Sequence, residues 1–124
     1  MHNQLEHFIG GSWTAPAEDA YFESTNPATL DVLYNAARGG KTDVERAVDA
    51  AAAAFQGRHW SNLTATRRGH LLRRLAELVG EHSAELARLE TEDNGKLLRE
   101  MRGQMAALPD YLYYYAGLAD KIQG

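Results

Sequence analysis

No cysteine occurs in the 124 residues. That excludes disulfides, thiolate catalysis and cysteine-ligated metal within this chain. No stretch approaches the ~20 apolar residues that a membrane span needs. Residues 1–7 are mostly polar and lack a basic n-region followed by an apolar one, so no signal peptide is expected. An excess of positive charge is also missing: 13 Lys and Arg stand against 17 Asp and Glu, for a net charge of −4. The molecule as a whole is therefore no electrostatic match for nucleic acid or an anionic membrane. A cytoplasmic protein with neither of those partners is the expectation. Chemical motifs are scarce as well. There is no Gly-x-Ser-x-Gly elbow, no Gly-x-Gly-x-x-Gly turn and no P-loop. The histidines His2, His7, His59, His70 and His82 form no His-x-x-x-His pair and no recognised metal motif.

What is present reads as an α+β segment, mostly helical, of a length that suits one domain. Its 44% hydrophobic and 24% charged residues are ordinary globular values. Residues 1–40 carry strand and turn signals. Phe8-Ile9, Gly10-Gly11 and Ser12-Trp13 predict a hairpin. Tyr21 to Thr25 reads as a second short strand, Asn26-Pro27 as a turn, and Val32 to Ala37 as a third strand.

From residue 41 to 124 the period becomes helical, with about four helices. Thr42-Asp43-Val44-Glu45 has the form of a capping box in which Thr42 caps and Glu45 reaches back. Val44, Val48, Ala51, Ala52 and Phe55 then share one face, and Gly57 ends the helix. Thr64 is the next candidate cap, before an apolar stripe of Leu71, Leu72, Leu75, Leu78 and Val79 that runs to Gly80. A third helix starts near Ser83 and stops at Asp93-Asn94-Gly95, where Gly95 suits a left-handed cap. Met101, Met105, Leu108, Leu112, Tyr115, Leu118 and Ile122 place one seam along the last helix. Pro109 lies inside that helix, so a kink or break is expected there.

Two clusters could carry binding. Arg58, Arg67, Arg68, Arg73 and Arg74 fall in a stretch without acids, which suits phosphate contact. The plainer reading, a solvated helix flank with Arg73 and Glu77 paired, is preferred. Tyr111, Tyr113, Tyr114 and Tyr115 could stack bases. A core or interface role for Tyr115, and for Tyr111 or Tyr114, fits the acidic chain better.

Several segments, taken in order, resemble the aldehyde dehydrogenase superfamily. Phe8 to Trp13 is similar to its opening strand pair, and Asn26-Pro27-Ala28-Thr29 to its Asn-Pro-x-Thr turn. That turn usually continues with Gly-Glu, where Leu30-Asp31 stand here. Asp43 to Val48, Ala53-Ala54-Phe55 and Trp60 resemble the first helix; Arg67, Leu71-Leu72 and Leu75-Ala76 resemble the second. Leu86 to Thr91 with Asp93-Asn94-Gly95-Lys96 resembles the third helix and its loop. Tyr114 to Gly117 and Ala119 to Ile122 resemble the end of the long helix.

The resemblance implies a scaffold piece of an α/β coenzyme-binding domain. In such enzymes a cysteine thiolate attacks an aldehyde to give a thiohemiacetal, hydride passes to NAD or NADP, and a carboxylic acid is released. It implies that the nucleophile, the base, the oxyanion Asn and the dinucleotide turn lie beyond these residues. No catalytic or cofactor-binding residue is then expected in this chain, which alone would be inactive and would bind no NAD or NADP. The partner implied is the remainder of the enzyme chain, and open apolar faces imply self-association without it. The resemblance further implies a monovalent cation held by the carbonyls of Ser24 and Thr25 and the carboxylate of Asp93. A free-standing helical interaction module derived from the same segment is the alternative.

Overall fold

The structure, a computed structural model, describes residues 4–121. The chain divides into two compact units, Met1–Ser61 and Asn62–Gly124.

In the first unit, β2 (His7–Ile9) and β3 (Ser12–Thr14) form the expected hairpin. Gly10 and Gly11 both have positive φ, 62° and 85°, the two-residue turn that twists with its strands and that glycine adopts without strain. Across the turn the rings of Phe8 and Trp13 meet edge-on, 5.1 Å between centroids. β4 (Tyr21–Thr25) and β5 (Val32–Ala37) appear with the expected bounds, and they pair antiparallel. Sequence reading misses β1 (Gln4–Leu5), which pairs in parallel with β5, so the sheet order is β1-β5-β4. α1 (Lys41–Gln56) follows, with Gly57 as its C-cap, and then the short α2 (Arg58–Ser61).

The start of α1 departs from the expected capping box. Gly40 is the N-cap, and its N–H donates to Asp43 Oδ2 at 3.0 Å. Thr42 lies inside the helix, and Glu45 pairs with Lys41 instead. The carboxylate that reaches back is two residues nearer the strand, because the helix is capped by Gly40, two residues earlier than the Thr-x-x-Glu spacing suggests.

The described residues of the second unit form three helices: α3 (Ala65–Glu81), α4 (Ser83–Asn94) and α5 (Leu98–Leu118). Thr64 caps α3, accepting the Arg67 N–H through Oγ1 at 3.2 Å. Gly95 closes α4 at φ 77°, its N–H donating to the Thr91 carbonyl at 2.9 Å. α5 packs along both α3 and α4. Among the described residues its core is small: Ala76, Ala87 and Met101 are fully buried and Ala116 nearly so. Gly69 is buried where α3 meets α5. A methyl group there would lie 2.8 Å from the Ala116 carbonyl oxygen and 3.4 Å from Ala119 Cβ, so glycine is required by the close approach of the backbones. Gly80 neighbours Pro109 at the other end of the contact, which makes the two helices antiparallel.

The expected seam on α5 is corrected in its second half. Met101 and Met105 turn inward, but Tyr115 is 60% exposed and Ala116 takes the inward position. The inward line needs a small residue opposite Gly69, and Tyr115 sits 100° around the helix from Ala116. Ile122 lies outside the described residues. Pro109 is accommodated without a break: α5 runs through it as one helix.

Candidate functional site

The most elaborate polar arrangement surrounds Asp43. Its side chain is built into the β5-to-α1 junction and the residue is 3% exposed. Oδ1 accepts the Ala17 N–H at 2.9 Å, and Oδ2 accepts the Gly40 N–H at 3.0 Å. His7 Nε2 and Arg46 Nη1 each stand 3.9 Å from the carboxylate. The Gly40 N–H holds this carboxyl below the ordinary value of 3.8; burial pushes the other way, and the Ala17 N–H, His7 and Arg46 add to the lowering.

This arrangement decides whether the first unit could hold a dinucleotide. β5, Gly39-Gly40 and α1 form a strand–glycine–helix turn, the local shape that presents backbone N–H groups to a phosphate. Here the helix N-terminus is already occupied by the buried Asp43 carboxylate. A phosphate brought to the same N–H groups would meet a negative charge rather than free donors. The residues present do not fit a nicotinamide dinucleotide at this turn.

The residues expected to hold a cation fall in both units. Ser24 and Thr25 are the last two residues of β4, opposite Tyr34 and Val32, and the register shifts between them. The following turn is closed by the Asn26 N–H to the Asp31 carbonyl at 2.9 Å, and by the Leu30 N–H to the Asn26 carbonyl at 2.8 Å. Asn26 Oδ1 also accepts the Ala28 N–H at 2.9 Å. Leu30 has φ 64° and is 77% exposed. A bulky residue in the left-handed region is strained, and this is the position where the resembled turn carries glycine. Asp93 belongs to the second unit, in the last turn of α4. Among the described residues no three His, Asp or Glu side chains gather as a metal site.

The arginines pair locally rather than gathering around one point. Arg68 donates to the Leu63 carbonyl at 2.7 Å. Arg74, and not Arg73, pairs with Glu77 at 3.0 Å, and it reaches Glu81 at 3.5 Å. On α5 the four tyrosines are all exposed, and Tyr114 and Tyr115 stack edge-on at 5.3 Å. No tyrosine of this group lies in a core among the described residues.

The open apolar faces are more telling. On α1 the shared apolar face is bare, with Val44, Val48 and Phe55 exposed, Phe55 to 88%. α3 carries two apolar lines. Gly69, Leu72, Ala76 and Val79 turn inward, whereas Leu71, Leu75 and Leu78 are exposed. Singly exposed apolar residues are normal, but ordered lines along helices mark surfaces made to be covered. Among the described residues no helix is long and apolar enough to cross a membrane.

Comparison with known proteins bears on what those faces meet. Residues 13–124 match the sequence profile described as the aldehyde dehydrogenase family. The chain is 46% identical over 121 residues to an Acinetobacter baylyi (Z)-2-((N-methylformamido)methylene)-5-hydroxybutyrolactone dehydrogenase, covering 98% of this chain and 24% of that protein. It is 44% identical over 126 residues to the mitochondrial aldehyde dehydrogenase of Sus scrofa, covering 100% of this chain and 24% of that protein. Among solved structures, a betaine aldehyde dehydrogenase of Staphylococcus aureus in complex with NAD+ superposes with a TM-score of 0.91 at 39% identity, over 95% of this chain and 24% of that one. An aldehyde dehydrogenase of Bacillus cereus does so with a TM-score of 0.92 at 37% identity, over 98% and 25%. The chain thus spans about a quarter of the length of these relatives.

Proposed function

Because the chain belongs to the aldehyde dehydrogenase family, we propose that it serves as the N-terminal part of the coenzyme-binding domain of an enzyme that oxidises an aldehyde to a carboxylic acid with NAD or NADP. One observation carries the reading: nearly the whole chain matches the family, yet it accounts for about a quarter of each relative. In such an enzyme the cofactor accepts hydride from the substrate. This chain has no cysteine to attack an aldehyde, and the Asp43 carboxylate fills the one strand–glycine–helix turn considered for a dinucleotide, which supports a structural contribution. Residues 1–40 supply strands and turns, residues 41–124 supply helices, and the bare faces of α1 and α3 are covered by the rest of the enzyme. Neither nucleic acid nor membrane is a partner in this reading, and the location is cytoplasmic.

The test is nicotinamide reduction by the pure chain with a panel of aldehydes, on a sample whose mass is followed by light scattering. No cofactor- and aldehyde-dependent turnover is expected, because the thiolate that starts the reaction is missing. Self-association is expected, since burying each large apolar side chain is worth ~1.5–3 kcal/mol. Turnover by the pure chain would overturn the first statement, and a monodisperse monomer that binds no apolar dye the second.

The cation reading belongs to the same proposal. Carbonyls of Ser24 and Thr25 with the Asp93 carboxylate would offer a sodium or potassium ion hard oxygen ligands. The shifted register between Ser24 and Thr25 supports it, since it interrupts the ladder at those residues. A further ligand would come from another part of the enzyme. Exchanging sodium or potassium for a bulky organic cation should therefore leave the melting temperature of this chain unchanged. A clear rise with one alkali ion would mean that these residues suffice.

A further inference from the structure

The junction of α4 and α5 holds chemistry that the scaffold role does not use. Of the asparagines Asn3, Asn26, Asn35, Asn62 and Asn94, only Asn94 is followed by glycine. It is exposed and ends α4, and Gly95 after it has φ 77°. An asparagine next to a glycine is the arrangement most open to intramolecular attack, because no Cβ shields the following backbone nitrogen.

We infer that Asn94-Gly95 is a self-modification site, deamidating to aspartate and isoaspartate at a rate gated by the last turn of α4. In the reaction the Gly95 backbone nitrogen, having given its proton to base, attacks Asn94 Cγ. A Cγ–N bond forms, the Cγ–Nδ2 bond breaks, and Nδ2 leaves as ammonia. Water then opens the cyclic imide: attack at Cγ breaks the new Cγ–N bond and gives aspartate, whereas attack at the Asn94 main-chain carbonyl breaks the original C–N bond and leaves the chain linked through Cγ, an isoaspartyl residue.

The folded geometry restrains each participant. The Gly95 N–H is engaged by the Thr91 carbonyl at 2.9 Å. Asn94 Nδ2 donates to Glu90 Oε1 at 2.8 Å, and Asn94 Oδ1 accepts the Lys96 N–H at 2.9 Å. With the side chain tied on both sides and the nucleophile tied behind, attack requires the turn to fray. Helix ends open locally far more readily than the whole unit unfolds. The product would weaken what held it. A carboxylate at position 94 would replace an N–H donor with a negative charge facing Glu90, at a helix end that already disfavours anions. The isoaspartyl form also lengthens the backbone by one carbon and misplaces the Gly95 N–H from its acceptor.

The experiment is incubation of the chain in mildly alkaline buffer, with peptide mass spectrometry for the gain of about 1 Da and enzymatic methylation to report isoaspartate. Asn94 should convert before any other asparagine. The folded chain should convert about tenfold or more slower than the chain in urea, and Glu90→Ala, with one tie removed, should fall between them. Asn94→Gln, which lacks the favourable ring size, should give no early product. Conversion first at another asparagine, or no conversion at Asn94 in the folded chain, would overturn the site. Equal rates for the native chain and Glu90→Ala, or for folded and urea-treated chain, would overturn the gate.

Discussion

Replacing Met101 by Ala is expected to destabilise the helical unit by about 2–5 kcal/mol, the range for truncating a large buried side chain when the cavity does not collapse. Met101 is the largest fully buried side chain, and the other fully buried members of its core, Ala76 and Ala87, are too small to fill the space it would leave. Thermal melting followed by helical circular dichroism reads the effect. In a domain of 60–100 residues each kcal/mol lowers the midpoint by about 4–8 °C. Met101→Leu, of similar volume, should cost less than about 1.5 kcal/mol. A Met101→Ala chain that melts within a degree or two of the parent would show that the three helices are not held by this core.

Acid is expected to loosen the first unit at Asp43. The folded state holds this carboxyl below its ordinary value of 3.8, so its contribution to stability is present above the unfolded pKa. It is lost as the pH falls through that value and the lower folded one. The local readout is hydrogen exchange at the Ala17 and Gly40 amides, the two donors it holds. Both should lose protection as the pH is lowered below about 4, after correction for the intrinsic exchange rate. Asp43→Asn keeps one acceptor but turns a donor toward a backbone donor. It should be less protected at neutral pH and should lack the acid transition. Unchanged protection of both amides in Asp43→Asn would remove the carboxylate from its assigned role.

Elements with local signals were legible in the amino-acid order. The Gly10-Gly11 hairpin, the strands from Tyr21 and Val32, the Thr64 cap and the Gly95 cap each announce themselves within a few residues, and each is where the signal puts it. β1 is two residues long and pairs in parallel with a strand some thirty residues away, so no nearby turn betrays it. In the sequence Asp43 is an ordinary member of a Thr-x-x-Glu capping box. Its importance depends on Ala17, which only the fold brings within reach. The turn after Asn26 was legible as a turn, but not the left-handed backbone at Leu30, because leucine conceals what glycine would advertise. On α5 and α3 the period of the apolar residues was clear, but it could not tell the packed line from the bare one beside it. Both lines are apolar, and the difference lies in which one the smallest residues occupy. Of the cation ligands, the positions came from family likeness alone; nothing in their spacing points to an ion.

The contact at Gly69 has a consequence for how such helices are exchanged between related chains. Where a methyl would lie 2.8 Å from the Ala116 carbonyl, α3 and α5 meet as a slot and its key. Sliding α5 by one turn, about 5.4 Å, so that Leu112 faces the slot would put a side chain there that is too bulky to enter it. The pair thus carries a register mark against that slip. α3 and α5 therefore behave as one heritable part: a chimera that takes either helix from a relative must take its mate, or keep the small residues at both positions.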